Sequence, residues 1–137
     1  MRRTIVFPVY LLLACAGVLL NHPSQGANRD GIRYVEIEPI IVTNYLRPKG
    51  KKPGFVQVQA QLTAEGKSAS DIIEDHMPLI RAVMIEYLSF TEEATIKDLN
   101  KRIEIRDALL EEIKLALTDV VGENYADSLV FTHFIYD

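Results

Sequence analysis

At 137 residues, with 48% hydrophobic and 25% charged side chains, the chain has the composition of one globular domain rather than of a disordered tail. The net charge is -4. With Arg2 and Arg3 set aside, thirteen bases face nineteen acids, a balance that argues against a nucleic-acid partner, since neutralising phosphates takes a concentrated basic face. Cys15 is the only cysteine, so an intramolecular disulfide and a cysteine-based zinc site are excluded.

Met1-Arg2-Arg3 precedes a charge-free apolar run from Thr4 to Leu20, and the chain then turns polar through Asn21–Ala27. Charge is costly in a bilayer core, and arginines ahead of such a run stay on the cytoplasmic side, so the rest of the chain is expected to be exported. Three fates fit residues 1–27: a signal peptide cut near Gly26-Ala27, a single-pass anchor, or a lipoprotein segment acylated at Cys15 in Leu12-Leu13-Ala14-Cys15. A linker is expected over residues 28–33 and one exported domain over 34–137.

Tyr34 to Tyr45 is rich in β-branched residues and predicts a strand, with Pro39 confining it to an edge or a bulge. Two prolines and two glycines mark Arg47–Gly54 as a turn. Val56, Val58, Ala60 and Leu62 then alternate with Gln57, Gln59 and Gln61, so Tyr34–Thr63 reads as an antiparallel hairpin with one buried and one wet, uncharged face.

From Ser70, a candidate N-cap, the period becomes helical through Ile73, Met77, Ile80, Met84 and Leu88. Pro78 predicts a kink or a fresh helix start. A short helix is expected over Glu92–Leu99. A longer one follows on the stripe Ile105, Leu109, Ile113, Leu117 and Val120, ended by Gly122 at C′. After a loop at Asn124–Asp127, Leu129–Ile135 predicts a last strand too apolar on both faces to be an exposed edge. The order strand, strand, helices, strand defines an α+β fold with helices on one face of a small antiparallel or mixed sheet.

No nucleophile–base spacing, phosphate-binding glycine loop, H-E-x-x-H or C-x-x-C occurs in the sequence. Glu74-Asp75-His76 groups three metal-ligand types, but neighbours on a helix point about 100° apart and do not converge on one ion. His133 alternates with hydrophobic residues as surface histidines of strands do. Glu92-Glu93 and Glu111-Glu112 have bases nearby and read as solvated helix faces. The basic stretch Lys49–Lys52 suits either a soluble hairpin tip or a contact with anionic headgroups or an acidic partner. Neither an enzyme, a cofactor, a metal site nor a small-molecule substrate is expected.

Four stretches carry a family resemblance: Tyr34–Asn44 with Pro39 and Asn44; Phe55–Leu62; Met77-Pro78-Leu79-Ile80-Arg81 leading to Tyr87-Leu88-Ser89; and Ile105-Arg106 with Val130-Phe131-Thr132-His133-Phe134-Ile135. In that order and spacing, residues 34–135 resemble the flagellar basal body-associated FliL family. The resemblance implies a non-catalytic periplasmic domain of stomatin/prohibitin-like fold, tethered to the inner membrane and assembled into homo-oligomeric rings. Its implied partners are the flagellar basal body and the motor stator proteins, whose support promotes torque, swimming and swarming. The family-motif residues carried over are Pro39, Asn44, Pro78, Ile80, Arg81, Arg106, Phe131, Thr132 and Phe134, with Pro78, Ile80 and Arg81 shaping the first helix and Phe131 and Phe134 anchoring the last strand. The alternative reading is a periplasmic scaffold or lipoprotein of the same fold acting on a non-flagellar envelope complex.

Overall fold

The computed structural model describes residues 31–137; the apolar run and Cys15, with the anchor, signal and lipidation readings placed on them, lie outside that range. The chain order is β1 (Ile32–Glu36), β2 (Ile41–Tyr45), β3 (Gly54–Glu65), α1 (Gly66–Asp75), α2 (Met77–Ser89), α3 (Glu93–Lys97), a 3₁₀ turn at Leu99–Lys101, α4 (Arg102–Val121) and β4 (Ser128–Tyr136).

β3 is the axis of the sheet. Along one side it pairs antiparallel with β1 (Val35 opposite Leu62) and then with β2 (Thr43 opposite Val56); along the other it pairs antiparallel with β4 (Val58 opposite Phe134). β1 and β2 are therefore one edge interrupted at Glu38-Pro39, as the proline predicts. Proline has no N–H to give to a ladder, so an edge is where it is tolerated. The strand starts at Ile32, two residues before the expected position.

The period-two pattern of β3 sorts its faces. Val56, Val58, Ala60 and Leu62 are buried beneath the helices, while Gln57, Gln59 and Gln61 stay half-exposed on the opposite face. α1 packs on β1 and β3, α2 on β2, and α4 on β4 and α2, so all three longer helices meet the sheet. The core between the layers is aliphatic, led by Leu62, Ile73, Ile80, Met84, Leu88, Ile105, Leu109, Ile113 and Leu117. Each such side chain contributes about 1.5–3 kcal/mol by leaving water.

Four expectations are corrected. α1 begins at Gly66, and Ser70 lies inside it, its hydroxyl donating back to the Lys67 carbonyl (2.8 Å) instead of capping an N-terminus. The short helix closes at Lys97; Asp98 then accepts from the Asn100 amide (2.8 Å) and opens the 3₁₀ turn. Val120 is 58% exposed, because the buried stripe of α4 ends at Leu117 and the last turn runs past the edge of the core. Finally, β4 is an edge strand: among the described residues it pairs only with β3. Its inner residues Leu129, Phe131, Phe134 and Tyr136 pack toward the helices, whereas Val130 and Ile135 stand open on the outer face. Apolar residues on both faces did not mean burial on both sides. The Pro78 expectation is met by a fresh helix start, with Pro78 in the first turn of α2. Gly122 closes α4 at φ 90°, its amide donating to the Thr118 carbonyl (2.9 Å).

Candidate functional site

The family-motif residues fall in three places. Pro39 and Arg81, 42 positions apart, meet directly: the Arg81 guanidinium donates to the Pro39 carbonyl and ties the broken edge to α2. Pro78 and the fully buried Ile80 belong to the same helix, so this group holds α2 against the β1–β2 edge. Asn44 stands apart, exposed on the outer sheet face opposite Phe55.

The remaining four gather around β4. Phe131 and Phe134 pack edge to face with centroids 5.3 Å apart, half-buried against the core. Between them the register shifts: His133 faces Gln59 and Phe131 faces Ala60, which leaves Thr132 as the extra residue of a bulge. Arg106 on α4 is engaged by its neighbour Asp107 (Nη2–Oδ1 2.7 Å). His133 is exposed on the outer face, and His76 contacts the Ile72 carbonyl through Nδ1 (2.8 Å). Among the described residues, no three His, Cys, Asp or Glu side chains gather to hold a metal ion.

Sequence reasoning missed a polar corner where β2, β3, α3 and the end of β4 meet. The buried Tyr45 hydroxyl donates to the main-chain oxygen of Asp137, and Arg47 Nη2 donates to that oxygen and to the Tyr45 hydroxyl, both at 2.9 Å. The Asp137 carboxylate accepts from the Phe55 amide (2.7 Å). Glu93 gathers Lys51 (3.0 Å), Lys97 (3.1 Å) and Arg47 (3.2 Å); the Arg47 Nε approach is off line for a hydrogen bond, so charge holds that contact. The Lys51 and Lys97 hydrogen bonds hold the Glu93 carboxyl below the usual carboxylate range. The turn composition of Arg47–Gly54 and the bases near Glu92-Glu93 hinted at this corner, but Glu93 is not on a solvated helix face. Its side chain is only 17% exposed and also gathers Arg47 and Lys51 from the turn, which spacing along the helix does not reveal.

A second missed residue is Arg102. Its guanidinium lies 3.6 Å from the centroid of the Phe134 ring, a cation over an aromatic face. Its Nε is buried without a hydrogen-bond partner, and among the described residues it forms no ion pair. Burial lowers its pKa, opposed by Tyr136, but a guanidinium keeps its charge at neutral pH. A cleft of about 200 Å³ beside it is lined by Arg102, Ile103, Arg106, Val130 and Phe131. On the helical side, a groove of about 580 Å³ between α2 and α4 carries Glu86, Glu112 and Asp119 around Val83, Tyr87, Leu115 and Ala116. Burial first, then Glu112 and Glu104, raises the pKa of Tyr87 in that groove.

What the described residues offer is surface: an uncovered sheet face, an open strand edge and open clefts, one lined by acids and another by arginines. These are the features of a protein–protein interaction domain. A family model described as flagellar basal body-associated protein FliL matches residues 34–136, from the middle of β1 to the last residue of β4. The chain belongs to the FliL family, a structural and accessory family, and is thus a flagellar basal body-associated protein. No curated protein sequence matches it. Among the described residues no helix is long and apolar enough to cross a membrane.

Proposed function

We propose that the protein is a non-enzymatic accessory of the flagellar motor that assembles as a homo-oligomeric ring around the stator and supports torque, swimming and swarming. The observation that carries this reading is the extent of the family match, which takes in essentially the whole folded domain rather than one motif. On this reading the domain works on the periplasmic side of the inner membrane, with a fold of the stomatin/prohibitin type. The charge-free run Thr4–Leu20 sends it there, as a lasting anchor or as a cleaved signal. Pro39, Pro78, Ile80 and Arg81 serve by fixing α2 against the broken edge, and Phe131, Thr132, Phe134 and Arg106 by shaping the β4 side.

Deleting the gene tests the proposal. Filaments should still assemble, while swimming speed falls and falls further as the medium is thickened, because load is what a stator-supporting protein would help to bear. Unchanged speed in thin and viscous medium alike overturns the motor role. A defect confined to envelope integrity, with motility intact, would assign the domain to another complex.

A further inference from the structure

The two edges of the sheet are built differently. The β1–β2 edge carries Arg33, Glu36 and Glu38, is broken at Pro39 and is tied down by Arg81. These are the devices that keep an edge from recruiting another strand. β4 has none of them except its bulge. From Ser128 to Tyr136 it runs nine residues without Pro, Lys, Arg, Asp or Glu. Its far side is unpaired among the described residues, and Val130 and Ile135 are about half-exposed. The cleft at Arg102 is lined by the inner-face Phe131 and the outer-face Val130, so it opens at the edge itself and not on either face.

We propose that the open edge of β4 receives an extended segment of a different protein as an added strand, an alternating apolar sequence that places a carboxylate against Arg102. Main-chain bonds to β4 supply the attachment and the side chain at Arg102 supplies the selectivity, as in other strand-addition sites. Charge decides the occupant. A second copy of β4 brings carboxylates only just beyond its two ends, at Asp127 and Asp137, with none between Ser128 and Tyr136 to lie against Arg102 midway along the strand, and it adds another Arg102 to the first. The chain's own residues 1–30 hold one acid, Asp30, which in sequence is two positions ahead of β1, the strand at the opposite edge of the sheet. The β1–β2 edge of a second copy is interrupted where a continuous strand is needed. This inference goes beyond the stator reading and does not depend on it.

The test uses the full-length chain, isotope-labelled in detergent micelles, and a capped nine-residue peptide alternating threonine and valine with one central glutamate. Peptide should shift the backbone resonances of β4 and slow exchange of its outward amides. A lysine-for-glutamate version should bind about tenfold more weakly, the scale of one charge-assisted hydrogen bond. Arg102→Gln should bring the two peptides to equal affinity, whereas Arg102→Lys, which keeps the charge, should retain the preference; spectra of β3 unchanged in both variants establish that the fold is intact. Absence of binding, equal binding of both peptides to the native chain, or shifts confined to the α2–α4 groove overturns the proposal. So does protection of β4 that rises with protein concentration in the absence of peptide, which would give the edge to a second copy.

Discussion

A Cβ on Gly54 would stand inside the envelope of the Tyr45 ring and 2.6 Å from Arg47 Nε, so the two side chains that reach Asp137 cross the backbone where β3 begins. The obstructing ring is buried and its hydroxyl is committed to the Asp137 main chain, which leaves it no cheap way to yield. Gly54→Ala should therefore cost about 2–3 kcal/mol in urea unfolding, the upper range for overpacking a tight site. Gly50→Ala, in the same turn, has open space around its Cβ and meets only the penalty of its positive φ, about 1 kcal/mol. Equal losses at the two positions would show that the Tyr45–Arg47 crossing is not what constrains Gly54. Glu93 offers a second test. Its folded-state pKa lies below the ordinary glutamate value, so its contribution is complete above that ordinary value and is lost as pH falls through the depressed one. Stability measured from neutral to strongly acid pH should fall less steeply over that acid range in Glu93→Gln than in the native chain. Parallel curves would mean that Lys51 and Lys97 contribute nothing through this carboxylate.

At the scale of elements, α4 separates what periodicity reveals from what it cannot. The apolar spacing continues to Val120, yet burial stops at Leu117. Leu117→Ala should cost about 2–5 kcal/mol by opening a cavity, while Val120→Lys, whose charge suits the last turn of a helix, should stay within about 0.5 kcal/mol of native. A large loss at Val120 would mean that its face is covered. The same distinction explains what was legible. The α+β class, the antiparallel pairing about Phe55–Leu62, the break at Pro39, the start of α2 near Pro78 and the stop at Gly122 all follow from local rules of period and φ, and each is found. What was missed depends on the neighbourhood. Ser70 resembles a cap only while the chain before it is taken as non-helical, and β4 resembles a central strand only while apolar residues are equated with buried ones. The candidate site was half legible: the β4 residues and Arg81 stood out as motifs, but the isolation of Arg102 and the Tyr45–Arg47–Asp137 corner join residues far apart in sequence.

At the scale of the molecule, the single strand paired on both sides among the described residues is β3, and the other three strands hang from it. That arrangement sets a gradient of local stability, since an amide exchanges with solvent either by global unfolding or by a smaller opening that frees its own bond. Gln59 and Ala60 face the Pro39 break on one side and the bulge on the other, but amides of Gln57, Val58, Gln61 and Leu62 lie where β3 is paired on both sides, and no local opening exposes them without parting β3 from its neighbours. Their exchange should report the full unfolding free energy, on the order of 5–15 kcal/mol for a domain of this size, with a denaturant dependence equal to that of global unfolding. β4 should divide within itself. Amides aimed at β3 should approach the same ceiling, and those aimed away should exchange orders of magnitude faster, because nothing among the described residues accepts from them. Uniformly slow exchange along Ser128–Tyr136 in a dilute, monomeric sample would contradict an open edge and with it the distinction between the two sides of the sheet. The expected alternation would show that the side without charges, proline or a tethering arginine is also the side whose main chain remains free to bond.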